Sequence, residues 1–333
     1  MITNWDEEEL IRWIGTDSQP LKPKSRDYYK VAFRYYSQFR KMGAKQLIDE
    51  IDVEYQGSRR QRGRVKAQIL SYYNWLQQRI TQSSSVTYLG AILGFYHSNN
   101  FKIEFERREY PRSKPVTSRK FVSPEDVGRL LGSSLNIRNQ AIIMSLYQSG
   151  MDISTLLNLN IEDVVNKENR IPSGRVMITT ERLKTPDWEY RTFLGVQTME
   201  YVKGYLKTRR QLKLKSPLFL NNYTHPNPYF RSNKRSRRAS TTEIQQTFRH
   251  LVVRAGFFSK SELKEHYRIN PMGTHALRES FGKIATNHKM NQNLIDYFMG
   301  HKTPYSGVYS NQSDSELERA YSELEPFLSV DLN

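Results

Sequence analysis

His275, Arg278, His301 and Tyr309 all fall within residues 274–310, THALRESFGKIATNHKMNQNLIDYFMGHKTPYSGVYS. Asn270-Pro271-Met272-Gly273 reads as a turn, and Thr274 as an N-cap that places His275 and Arg278 in the first turn of a helix. Residues at i and i+3 share a face, and a helix start offers free N–H groups at the positive end of its dipole. An imidazole and a guanidinium added there suit an anion, because the guanidinium can fork onto two oxygens of one phosphate. A second helical run, Gln292 to Met299, stops at Gly300, whose tolerance of positive φ makes it a C-cap presenting His301. Eight residues further on stands Tyr309. Attack on a phosphodiester is opposed by the ester's own charge and by a poor alkoxide leaving group. Without a metal, such chemistry needs cations, a nucleophile and a proton donor. A phenol with a pKa near ~10 serves as nucleophile only if its proton is taken or its charge is stabilised in the transition state.

The totals point to the same polyanion. The chain has 333 residues, 51 Lys and Arg against 34 Asp and Glu, a net charge of +17, and 37% hydrophobic residues. That length supports a sizeable core and favours two domains. Residues 1–120 carry 22 basic and 13 acidic side chains, so both halves of the chain are basic. Two basic bodies on one duplex account for this better than one basic tail on a neutral body. With no cysteine, thiol catalysis, disulfides and Cys-ligated zinc are excluded, and no metal or other cofactor is expected. The acidic start MITNWDEEEL and the short apolar runs predict neither a signal peptide nor a membrane span, so the cytoplasm is the expected location, on the nucleoid when DNA is bound.

Taken in order, apolar spacing predicts helices over residues 5–14, 25–42, around Val65–Leu76, and 85–98, an all-helical domain of residues 1–106. Arg59, Arg60, Arg62, Arg64 and Lys66 form its basic cluster and the candidate phosphate contact. Residues 107–120 (RREYPRSKPVTSRK), with Arg112, Lys114, Arg119 and Lys120, read as a basic interdomain linker able to lie along a DNA backbone. From residue 121 to 333 a second domain follows, mostly helical with a small antiparallel sheet. Ser123 caps one helix, Asn136–Ser149 forms another that ends at Gly150, and Ser154 to Leu159 begins a third. Short strands are expected near Arg175–Thr180 and Tyr190–Leu194 with ERLKTPDW turning between them, then helices over Val196–Leu212 and Thr241–Gly256, the latter capped by Thr241 or Thr242. Between these helices lies a polar, basic stretch with Arg235, Arg237 and Arg238 that is expected to face DNA. Ser313-x-x-Glu316 is a capping box opening a terminal helix over residues 313–328.

His275-x-x-Arg278, Gly300-His301 and Tyr309, in that order, resemble the C-terminal signature of the tyrosine recombinase (phage integrase) family, and the tail after Tyr309 is similar to the archaeal branch. The resemblance runs upstream through LKTPDWEYRTFLG and the helix before Gly150. It implies a helical core-binding domain forming one jaw of a clamp on double-stranded DNA, and a catalytic domain forming the other. It also implies a homo-tetramer on paired sites, with Tyr309 attacking to give a 3′-phosphotyrosine and a free 5′-hydroxyl. Lys184, on the hairpin, would be the general acid for the leaving 5′-oxygen. His275 and His301 would donate to non-bridging oxygens or carry the tyrosine's proton, and Arg278 would grip the phosphorane. Tyr305 is only four residues past His301, and Tyr297, among Leu294, Ile295 and Phe298, reads as core.

One position departs from the family pattern. Where T/S-G-x-R is typical, the chain reads Ser149-Gly150-Met151-Asp152. A carboxylate there repels phosphate, which leaves three alternatives: the protein is inactive, a basic residue from elsewhere fills the gap (Arg182 or Arg191), or Asp152 has been substituted into an active protein. The inactive alternative is an architectural or regulatory DNA-binding protein. Whether the terminal helix packs on its own domain or on a neighbour's is equally open from amphipathicity alone.

Overall fold

The computed structural model describes residues 5–15, 23–57, 63–112, 119–181, 188–210, 212–221, 238–265, 269–301 and 312–331. The chain divides into two compact units, Met1–Thr117 and Ser118–Asn333. Among the described residues no helix is long and apolar enough to cross a membrane.

The first unit consists of helices α1 (Glu8–Ile14), α2 (Pro23–Arg40), α3 (Ala44–Gln56), α4 (Arg64–Gln77) and α5 (Gln82–Ser98). Its core is aromatic: Trp13 stacks on Tyr29 with centroids 5.0 Å apart, Phe33 meets Phe95 at 5.1 Å, and the buried Tyr36 and Tyr96 hydroxyls bond at 3.0 Å. Helix α3 was not among the helices expected from apolar spacing. It buries only Ala44, Leu47 and Ile51, a narrow stripe among acids, and begins where Gly43 N–H donates to the Gln46 side chain at 2.9 Å. Its Glu54 carboxylate accepts from Val65 N–H at 2.8 Å and so caps α4, whose first residue is Arg64.

The second unit holds α6 (Pro124–Ser133), α7 (Ile137–Ser149), α8 (Ile153–Asn158), strands β1 (Val176–Glu181) and β2 (Glu189–Leu194), α9 (Val196–Lys207), α10 (Thr241–Arg254), α11 (Lys260–Glu265), α12 (Thr274–Asn287), α13 (Gln292–Phe298) and α14 (Asp314–Leu324). The strands pair antiparallel, from Val176 opposite Leu194 to Glu181 opposite Glu189. This is the mostly helical domain with a small antiparallel sheet that the sequence implies. Several boundaries differ. Ser240, not Thr241 or Thr242, caps α10, and α9 stops at Lys207, short of the expected end at Leu212. Thr274 is not the cap of α12: Gly273 is, in extended backbone, and the buried Thr274 is the first helical residue. That shift of one position moves Arg278 from the first turn into the second.

Helix α7 is buried all round, as a helix at the centre of a domain must be. Its C-terminal carbonyls have no partners within the helix, and three other elements supply them. Tyr321 of α14 donates to Gln148 O at 2.9 Å, Thr192 of β2 donates to Ser149 O at 2.7 Å, and Arg278 of α12 donates to Gly150 O. Gly150 has φ +65°, and an added Cβ would come within 2.5 Å of the Phe281 ring. Gly150→Ala is therefore expected to destabilise the second unit by about 2–5 kcal/mol, the left-handed backbone and the overpacking together. Denaturant unfolding, with Gly132→Ala in open space as the control, measures it.

Candidate active site

Arg278 is 2% exposed and is fixed by what the backbone offers it. Its guanidinium donates to Gly150 O at the end of α7 and to Met299 O at the end of α13. It also meets His301 Nε2 at 3.0 Å. An arginine donates only, so His301 Nε2 carries its lone pair here and the ring proton sits on Nδ1. Nδ1 lies 2.9 Å from Asp296 Oδ1, giving a row Asp296–His301–Arg278. The turn that makes this row is local. Gly300 at φ +65° lets His301 N–H reach Asp296 O at 2.7 Å and Gly300 N–H reach Tyr297 O at 2.8 Å, a Schellman closure of α13.

Asp152 N-caps α8. Its carboxylate accepts from the backbone N–H groups of Ser154 and Thr155 at 3.0 and 3.1 Å, from Thr155 Oγ1 at 3.0 Å, and from the Ser154 hydroxyl. Burial pushes its carboxyl up, but the Ser154 and Thr155 bonds and the charge of Arg278 outweigh that and hold it below the usual carboxylate range. Asp152 is thus a built, ionised cap within electrostatic reach of Arg278.

His275, the second residue of α12, has more than half its side chain exposed, and its Nδ1 is 3.9 Å from Glu279. Partial burial, then the charge of Arg119, lower its pKa below the ordinary histidine value against the opposing pull of Glu279. It is neutral at pH 7 and offers one N–H. It also lines a cleft with Thr242, Gln245, Gln246 and Arg249, which share one face of α10, and with Arg119, Ile269 and Asn270. Sequence reasoning missed that α10 face and Asp296. The signal for the first was the i, i+3, i+4, i+7 spacing of polar residues, and for the second the carboxylate five residues before His301.

The structure brings Arg278 and His301 into contact and places Asp152 within electrostatic reach of Arg278. Lys184, Tyr309, Arg182, Tyr305, Arg59, Arg60, Arg62, Lys114, Arg235 and Arg237 lie outside the described residues. Arg191 bonds the Tyr297 hydroxyl through Nε at 3.1 Å and pairs with Asp314, so it joins β2 to α13 and α14. Arg238 donates to Leu157 O at 2.7 Å, Leu159 O at 2.9 Å and Asn160 Oδ1 at 2.8 Å, holding the loop after α8. Arg119 pairs with Glu279, and Lys66 pairs with Glu109 at 2.6 Å. Arg64, Arg112 and Lys120 are exposed. Among the described residues no three His, Asp or Glu side chains gather as a metal site.

A helical unit followed by a helical unit with a two-stranded sheet, carrying an H-x-x-R helix and a G-H turn, defines the catalytic fold of one enzyme class. Residues 120–313 match the model of the phage integrase family, and the chain belongs to that family of tyrosine recombinases. It is 22% identical over 334 residues to tyrosine recombinase XerD of Listeria monocytogenes serotype 4b, covering 95% of this chain and 96% of that one. It is 25% identical over 195 residues to tyrosine recombinase XerC of Thermodesulfovibrio yellowstonii, covering 58% and 56%. Among solved structures, XerH site-specific recombinase bound to palindromic difH substrate, in a post-cleavage complex, aligns with a TM-score of 0.57 at 15% identity, over 91% of this chain and 80% of that one. A lambda integrase dimer bound to a COC′ core site gives 0.56 at 12%, over 87% and 92%. At these identities the structures show a shared fold.

Proposed function

We propose that this chain is a site-specific DNA recombinase or integrase that cleaves and rejoins strands through a 3′-phosphotyrosine at Tyr309, without a metal, its cleavage slowed by Asp152. The observation that carries the reading is Arg278, buried and aimed at His301 at 3.0 Å where the ends of α7 and α13 meet. A buried guanidinium with a histidine beside it is suited to a phosphorane. Tyr309 attacks phosphorus, its proton leaves to a base in the site, and the 5′-oxygen departs with a proton from Lys184. Energy of the ester is kept in the phosphotyrosine, so rejoining needs no ATP.

Exposed Arg64, Arg112 and Lys120 act as phosphate contacts, together with Arg59, Arg60, Arg62, Lys114, Arg235 and Arg237. Helix α10 turns Gln245 and Gln246 toward one cleft, side chains whose amides suit adenine edges, while Arg249 beside them donates to Leu263 O at 2.8 Å. The working form is a homo-tetramer on paired duplexes in the cytoplasm, with residues 1–106 as one jaw, 107–120 as the linker and 121–333 as the other jaw.

The second reading, a DNA-binding protein of the same fold without cleavage, is favoured by one observation, the ionised Asp152 carboxylate in the field of Arg278. The test is to incubate the chain with nicked, labelled DNA of its own replicon at low salt, where DNA binding is strongest. The complex is denatured in SDS and the modified peptide read by mass spectrometry. A weak, SDS-resistant adduct mapping to Tyr309 is expected. DNA binding with no adduct at any incubation time establishes the second reading instead.

A further inference from the structure

We propose that Asp296 is a positioning residue that fixes the tautomer and orientation of His301; the catalytic consequence rests on the function proposed above, the geometry does not. Asp296 holds His301 twice. Its backbone carbonyl accepts the His301 N–H at 2.7 Å, and its carboxylate receives the imidazole Nδ1 at 2.9 Å. The Schellman turn is what makes the second contact reachable, because it folds the residue after Gly300 back over the residue four before it. A free neutral imidazole can carry its proton on either nitrogen. Here a carboxylate that only accepts faces Nδ1, and a guanidinium that only donates faces Nε2 at 3.0 Å. Both neighbours select the same tautomer.

The chemical consequence concerns Nε2, which the Arg278 guanidinium meets at 3.0 Å. With Nδ1–H committed to Asp296, the Nε2 lone pair stays turned to Arg278 and helps hold its guanidinium in place for the phosphorane.

The test starts on the DNA-free protein. Long-range proton–nitrogen NMR of the full chain labelled with 15N-histidine distinguishes the two ring nitrogens. The spectrum of His301→Gln identifies the His301 signals among the 7 histidines. His301 is expected to be protonated on Nδ1 and bare on Nε2. Asp296→Ala removes one of the two selectors and should raise the share of rings protonated on Nε2, with Arg278 still opposing a complete switch, whereas Asp296→Asn, whose Oδ1 still accepts, should keep the proton on Nδ1. Adduct formation on nicked DNA should then fall about 10- to 100-fold in Asp296→Ala and recover in part in Asp296→Asn, at unchanged melting temperature. Protonation of His301 on Nε2 in the unaltered chain, or no tautomer change in Asp296→Ala, overturns the proposal. So does an Asp296→Ala protein with the changed tautomer and an undiminished adduct rate. If Asp296→Ala does not fold, the unaltered spectrum and the Asn variant decide. An unaltered chain that forms no adduct sinks the recombinase reading and leaves the NMR result to judge the geometry alone.

Discussion

Tyr309→Phe is expected to leave no SDS-resistant protein–DNA adduct while DNA affinity and melting temperature stay within error of the unaltered chain. The change removes one oxygen and no charge, so the electrostatic attraction that dominates DNA binding is untouched. The benzene ring that remains has no lone pair to attack phosphorus, and the loss is complete rather than partial. Tyr297 does not stand in for it. That side chain is 8% exposed, packs beside Phe298, and its hydroxyl accepts from Arg191. An adduct that survives in Tyr309→Phe would transfer the nucleophile's role to Tyr305, and mapping the modified peptide would say so.

Asp152→Arg is expected to raise the rate of adduct formation by about 10²–10³, the usual effect of one transition-state donor, about 2.7–4 kcal/mol. Stability should move the opposite way. Asp152 caps α8 with bonds to Ser154 and Thr155, and losing a cap costs about 0.5–2 kcal/mol. Asp152→Asn separates the two effects. Asparagine still caps but lacks the ionised carboxylate's share of stability, so at neutral pH it should lose less than the arginine variant, while the repulsion of phosphate disappears without a new cation, and the rate gain should be the smaller. The sign with pH is also fixed. The folded carboxyl lies below its unfolded value, so its stabilisation is present above the unfolded pKa near ~3.9 and fades as the pH falls through the folded one. The asparagine variant should lack that part of the acid unfolding. Equal adduct rates in all three proteins would show that position 152 does not limit the chemistry.

The parts of the site that the sequence displayed are those carried by short-range spacing. Gly300 followed by His301 at the end of an apolar run, and His275 and Arg278 three apart, announce themselves because turn chemistry and helix periodicity act within a few residues. Arg278's partners were not legible, since Gly150 O comes from a helix 128 residues earlier in the chain. The cap of α12 was misplaced for a related reason. Thr274 is a good capping type, but it is buried, and the chain already turns at Gly273 N–H to Asn270 O, 3.2 Å. Asp152 read as a missing cation. That its four-bond capping role makes it part of α8 emerged only with Ser154 and Thr155 placed around it. Composition likewise cannot say which cations are free. Arg238, Arg119 and Lys66 sit in basic stretches, yet each donates within its own unit. Helix α3 stayed hidden because three apolar residues among acids give too thin a stripe to stand out from a loop.

The terminal helix settles on its own chain. Leu317, Tyr321 and Leu324 of α14 are buried in the second unit, Tyr321 stacks on Phe193 at 4.8 Å, and Leu328 O receives the Gln148 side chain at 3.0 Å. A tail joined to the same polypeptide meets its slot at an effective concentration on the order of millimolar. A neighbour's tail in dilute solution, at micromolar concentration, is outcompeted by about a thousandfold. In the tetramer proposed above, subunits held side by side would raise the neighbour's local concentration to match. Exchange of tails between subunits would therefore report that two DNA sites have been brought together, and the three carbonyls at the end of α7, one of them bound by Tyr321 and another by Arg278, are where that report would reach the chemistry.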